Sequence, residues 1–209
     1  MSTHVGEPDT APAALPETLP EPRPVAYDID VSERGIAIDG ELLRVVTVSS
    51  LMHVLGDPRI PDPDPMQVRG LCALNWDAAG ICVFTPDGEH VDHLEILLAR
   101  DAAEECASRI DMWEQRPRQI MTGSLTVSGG DPFDALLTHA VLTAAPKAAS
   151  ARLGEWVIEW TFHHEAYLAV HASGASDFTS RMAVYRAHRI RLRSITIEYR
   201  PGIAGASVV

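Results

Sequence analysis

Apolar and polar positions begin to alternate at Tyr27 and do so in short segments. Ile36-Ala37-Ile38 and Leu42 to Val46 flank Asp39-Gly40, a dipeptide suited to the left-handed backbone of a two-residue hairpin, so two strands are predicted to open the folded region. Ser49-Ser50 offers an N-cap ahead of Leu51, Met52, Val54 and Leu55, and Gly56-Asp57-Pro58 stops a short helix. The proline-interrupted run from Ile60 to Pro65 reads as loop. Strands follow at Leu71 to Trp76, Ile81 to Thr85 and Val91 to Leu98, the last with Leu94, Ile96 and Leu98 on one face. Asp101 caps a predicted connecting helix from Ala102 to about Trp113, striped by Ala103, Cys106, Ala107, Ile110 and Trp113.

Beyond Arg116-Pro117-Arg118 the order of elements restarts. Gly35 and Gly123 open similar short strands, and Pro58-Arg59 and Pro146-Lys147 lie at the same offset of 88 residues. Asp131 and Pro132 suit the cap and first position of a helix predicted to run to Ala145, with Phe133, Leu136, Leu137, Ala140 and Val141 on one side. A strand from Glu155 to Phe162 is expected to turn at His163-His164-Glu165 and pair with Tyr167 to His171, and Ser173 to Ala187 reads as an insertion before a last strand, Arg189 to Tyr199. In that strand Ile190 and Leu192 are out of phase with Ile195, Ile197 and Tyr199, which calls for a bulge near Arg193 or Ser194. The fold class expected is α+β in two similar halves, residues 26–116 and 117–201, each an antiparallel sheet with a helix on one face, joined by a helix. Residues 1–25 read as a disordered acidic arm with Pro8, Pro12, Pro16, Pro20, Pro22 and Pro24, and 202–209 as a flexible C-terminus.

Two of these segments carry a resemblance. Leu55-Gly56-Asp57-Pro58 and Trp76-Asp77-Ala78-Ala79-Gly80-Ile81, with Ile36-Ala37-Ile38 and Leu94-Glu95-Ile96, resemble an uncharacterised bacterial α+β domain family marked by a leucine-glycine-x-proline helix stop and a tryptophan-aspartate-x-x-glycine-isoleucine hairpin. It covers about residues 30 to 130 and implies toxin, immunity or secretion neighbourhoods, with no catalytic residue to carry over. A looser similarity is to tandem modules of the β-lactamase inhibitor protein type, which bind proteins; this chain differs in its hairpin before each helix and in lacking their disulfides.

Charge narrows the partners. With 29 acidic against 17 basic residues the formal charge is −12, which disfavours nucleic acid. The excess is uneven: Arg181, Arg186, Arg189, Arg191, Arg193 and Arg200 gather near the C-terminus, and alternation would put Arg189, Arg191 and Arg193 on one strand face able to meet an acidic partner. No apolar run reaches the length of a membrane span and the N-terminus lacks the pattern of a secretory signal, so a cytoplasmic location without membrane contact is expected. Cys72, Cys82 and Cys106 have neither zinc spacing nor even number, and read as reduced core thiols.

Catalytic signals are sparse. Glu89-His90-Val91-Asp92-His93-Leu94-Glu95 is the best candidate for metal, with His90 and Asp92 sharing a strand face, but only two of its groups converge. His163-His164-Glu165 sits at a predicted turn, without the helical spacing of a two-histidine zinc motif. Nucleophile elbows and phosphate-binding glycine loops are absent from the sequence, and no cofactor is expected. The sequence therefore points to a non-catalytic protein-interaction module, immunity-like or inhibitory, with Arg189, Arg191, Arg193, Trp156 and Trp160 as partner-binding candidates. The alternatives are an accessory component of a bacterial assembly and, third, an enzyme whose site draws on His90, Asp92 or His163.

Overall fold

The computed structural model describes residues 23, 25–61, 70–100, 116–138, 141–144 and 148–200; for 136–138 and 141–144 it describes the backbone alone. In β1 (Ala26–Ser32) Ile29 and Val31 point inward while Asp28 and Asp30 point out. Antiparallel to it runs β2 (Gly35–Ile38), joined to β3 (Glu41–Leu43) by Asp39 and Gly40 at φ 49° and 83°, the two-residue turn expected from the sequence. On its other side β1 pairs in parallel with β7 (Thr122–Val127), giving a four-stranded sheet ordered β3-β2-β1-β7. The outward carboxylates cross-link this parallel pair: Ser124 Oγ donates to Asp28 at 2.7 Å, and the Thr126 hydroxyl and the Gly129 amide donate to Asp30.

A seven-stranded antiparallel sheet carries the rest, in the order β4 (Cys72–Trp76), β5 (Ile81–Thr85), β6 (His93–Leu97), β11 (Leu192–Tyr199), β10 (Trp156–Phe162), β9 (Ala148–Leu153) and β8 (Val141–Ala144). Cross-strand neighbours line up across six strands as Leu74, Val83, Leu94, Ile197, Ile158 and Ala151, and again as Trp76, Ile81, Ile96, Ile195, Trp160 and Ala149. Both rows are buried in one cluster with Ile29, Val31, Ile36 and Ile38 of the smaller sheet. Each such aliphatic side chain removed from water stabilises by about 1.5–3 kcal/mol, so these rows dominate the fold. Helices α1 (Val48–Leu55), α2 (Pro132–Thr138), α3 (His164–Ser173) and α4 (Phe178–Ala187) complete the described elements. None of the described helices is long and apolar enough to cross a membrane.

The α+β class holds, with several corrections to local expectation. Both sheets join strands of the first and second segments, meeting at β1 beside β7 and at β6 beside β11, so neither segment has a sheet of its own. Thr47 caps α1 through a capping box, donating its amide to Ser50 Oγ and accepting from the Ser50 amide. The helix expected over 132–145 stops at Thr138 and gives way to β8, and the strand expected at Tyr167 to His171 is α3. The last strand begins at Leu192 instead of Arg189; its bulge falls at Arg193, skipped between the pairs Thr161 with Ser194 and Phe162 with Leu192. Cys72 is exposed whereas Cys82 is buried. The arm, the connecting helix, the loop 62–65 and the C-terminal residues lie outside the described residues, as do Cys106 and Trp113.

The two motifs singled out in the sequence meet in space. Gly56 carries a positive φ and its carbonyl accepts the Trp76 indole N–H at 2.7 Å, joining the helix stop to the hairpin. Asp77 accepts from Arg59 Nε at 2.6 Å, Arg59 Nη2 at 2.9 Å and the Arg118 amide at 2.8 Å. At Gly80 a Cβ would stand 2.3 Å from the Met121 backbone nitrogen, so the motif glycine permits a close approach of the two backbones there.

Candidate functional site

The most distinctive surface is built where α4 runs into β11. Arg189 follows the helix end at φ 51°, the left-handed position where glycine is usual; its amide donates to Arg186 O, and the Ile190 amide donates to Tyr185 O at 2.9 Å. This Schellman-like closure turns the chain sharply, so Arg186 and Arg189 stand on the same side as Arg191. The carbonyl of Arg191 accepts the His163 amide at 3.0 Å, which ties the turn to the start of α3. An arginine held in a left-handed conformation costs about 1–2 kcal/mol, a cost that recurs at functional positions.

The facing wall is the start of α2. Asp131 caps that helix by accepting the amides of Phe133 and Asp134, and the buried Pro132 carbonyl accepts the Trp160 indole N–H at 2.8 Å. Phe133 lies edge-on to Phe162, which stacks on Tyr185 at 4.3 Å, so the groove floor is continuous with the core. Arg186 sits 5.9 Å over the Phe133 ring and donates to Asp134 at 2.8 Å. The resulting groove is about 400 Å³.

Arg186, Arg189 and Arg191 line it together with the Asp131 carboxylate, above an apolar floor. Arg189 and Arg191 are exposed, and neither guanidinium has a side-chain partner among the described residues. Guanidinium forks suit carboxylate or phosphate oxygens in a bidentate arrangement. The lining offers no imidazole or thiol, and its one phenol, Tyr185, is 2% exposed and raised above the ordinary tyrosine range by burial. A larger and more enclosed depression of about 500 Å³ on the outer sheet face, between His93, Glu159, Thr196 and Glu198, has one guanidinium, Arg200, already held by Glu198 at 2.7 Å.

The sequence candidates separate clearly. Arg189 and Arg191 do come together, but through the turn after α4 and not through strand alternation; Arg193 sits apart in the bulge, its carbonyl accepting the amides of Leu98 and Ala99. Trp156 and Trp160 are 4% and 0% exposed, so both fill the core and present no surface. His90 lies outside β6, its ring nitrogen bonded to Asp87, while Asp92 pairs with His93. His163 is buried at the start of α3, with Nε2 3.3 Å from Arg100 O. No group of three or more metal-ligating side chains converges among the described residues. Phe133 and Arg186, which complete the groove, stood in the sequence as a helix-face residue and as one of the C-terminal arginines, with no signal in the sequence that joined them.

Comparison with known proteins places this geometry in a family without assigning it an activity. Residues 28–140, more than half of the chain, match a domain of unknown function, DUF7738, and the chain belongs to that family. No curated protein matches it and no solved structure does, so the looser similarity to inhibitor-type tandem modules gains no support. The groove straddles the matched boundary: Asp131 to Phe133 lie inside it, and Arg186 to Leu192 outside.

Proposed function

We propose that this member of the DUF7738 family is a non-catalytic protein-interaction module that holds an acidic segment of a partner protein in the groove between α2 and the turn after α4. The observation that carries this reading is the pair Arg189 and Arg191, two guanidiniums with no side-chain partner among the described residues, lining the same groove as Phe133 in a chain of net charge −12. Keeping cations unpaired on such a body is useful when an anion from elsewhere completes them. The groove's size favours an extended peptide with an apolar anchor over a folded face, because about 400 Å³ accommodates a few side chains. The lining has hydrogen-bond donors and an aromatic floor but no oriented base and nucleophile, which supports binding over catalysis.

The test is fluorescence anisotropy of a labelled peptide in which one leucine is flanked by glutamates, titrated with the full chain. Binding should weaken roughly tenfold or more in Arg189→Glu/Arg191→Glu, and weaken with added salt. Glu159→Gln, on the other sheet face, should leave it unchanged. Equal affinity for the double variant and the parent would refute the reading.

A further inference from the structure

We infer that the segment held in the arginine groove is the partner's C-terminus, taken by its free α-carboxylate and an apolar last side chain; this rests on reading the groove as a site for an acidic segment. The charges that line the groove limit the anion. Arg186 is already held by Asp134 at 2.8 Å, and Asp131 lines the groove with Arg189 and Arg191. Two guanidiniums against one carboxylate leave a single positive charge to be met. That suits one carboxylate, which a guanidinium fork grips by two parallel bonds, and mismatches a phosphate monoester of about −1.5 to −2.

Stereochemistry favours the end of a chain over its interior. In an extended internal segment neighbouring side chains point to opposite sides, so a glutamate and the leucine beside it reach one groove only where the backbone bends. The last residue of a chain carries its side chain, its carboxylate and its amide N–H on a single Cα. The groove offers a counterpart to each: the apolar surface of Phe133, Ile190 and Leu192 for the side chain, Arg189 and Arg191 for the carboxylate, and Asp131 for the N–H. Asp131 can accept that bond because both amides it caps, those of Phe133 and Asp134, donate to Oδ1, and Oδ2 has no partner among the described residues. The same carboxylate repels a second acidic group next to the first, which a segment rich in glutamate would bring with it.

The experiment measures anisotropy with the full chain and three labelled probes: a serine-glycine peptide ending in leucine with a free carboxylate, the same peptide amidated, and the leucine-glutamate peptide amidated. The free-carboxylate peptide should bind roughly tenfold or more tightly than its amide, and more tightly than the leucine-glutamate peptide, since it alone makes charge-assisted bonds at the chain end. Arg189→Glu/Arg191→Glu should abolish that preference, and Glu159→Gln, on the other sheet face, should keep it. Equal binding of acid and amide, with the leucine-glutamate peptide still weakened by the arginine substitutions, overturns the inference and leaves the acidic-segment reading intact. Binding of every probe that is indifferent to those substitutions, or no binding at all, overturns both. Free leucine that displaces the probe as well as the unlabelled peptide does would assign the groove to an amino acid and overturn the inference.

Discussion

Asp77→Ala should unfold this protein more readily than any comparable surface change, because Asp77 is the shared acceptor of a nearly buried cluster. Its side chain is 10% exposed and Arg59's is 24%. Three donors converge on it: Arg59 Nε, Arg59 Nη2 and the Arg118 amide. Removing one partner of a buried pair costs about 3–5 kcal/mol, since the other is left charged and uncompensated. Arg59 is partly wetted and keeps a bond to Arg116 O at 2.9 Å, which brings the expected loss down to about 2–3 kcal/mol. In a chain of this size that lowers Tm by roughly 4–10 °C. Asp77→Asn, which retains one acceptor oxygen, should lose about half as much. Urea unfolding followed by tryptophan fluorescence measures it, with the midpoint moving and the slope unchanged. A double-mutant cycle with Arg59→Met should return a coupling above about 1 kcal/mol. A loss below about 1 kcal/mol for Asp77→Ala would put the cluster in the class of solvated surface pairs and refute the reasoning.

Further outcomes follow from single positions. Gly80→Ala forces a Cβ against the Met121 backbone and should cost more than about 2 kcal/mol, whereas Gly40→Ala, with open space around it, should cost only about 1 kcal/mol of backbone preference; thermal melts compare them. Trp160→Phe leaves the Pro132 carbonyl without its indole donor and should lower stability by about 1–3 kcal/mol while loosening the wall of the groove, read by the probe's affinity. His90 should titrate above the ordinary histidine range because Asp87 bonds its ring, and Asp87, held by the Glu89 and His90 amides, should stay ionised well below the usual carboxylate range. The raised His90 contributes stability that is complete below its unfolded value and lost as pH rises through its folded one. Asp87 contributes above its unfolded value and loses it as pH falls through its depressed one; NMR titration of the parent and Asp87→Asn checks both signs.

Local chemistry was legible where it was self-contained. Asp39-Gly40 specified its turn, the change of phase between Leu192 and Ile195 located the bulge, and the three strands from Leu71 to Leu98 were found within two residues at each end. What escaped depends on partners far along the chain. The strand Ala26–Ser32 has two charged positions and makes sense only beside β7, almost a hundred residues later, whose Ser124 and Thr126 satisfy its aspartates. In Tyr167 to His171 the aromatic and β-branched residues favour a strand, yet Ala166 and Val170 face the core one helical turn apart, so tertiary packing overrides propensity. Leu136 to Val141 keep a helical spacing across the point where the chain turns from α2 into β8. The groove escaped for a related reason: alternation assigned Arg189 and Arg191 a strand face, and the left-handed residue that unites them with Arg186 is an arginine where the rule expects glycine.

The pairing of β6 with β11 bears on how the chain can be cut. The matched family region ends at residue 140, before β8, β9, β10 and β11, so a fragment taken at that boundary would present β6 as a bare edge with Leu94 and Ile96 exposed on its inner face. Such an edge templates association between chains. During synthesis the same edge stays open until β11 emerges, which makes Leu192–Tyr199 the latch of the whole sheet and places the aggregation-prone interval between the emergence of β6 and that of β11.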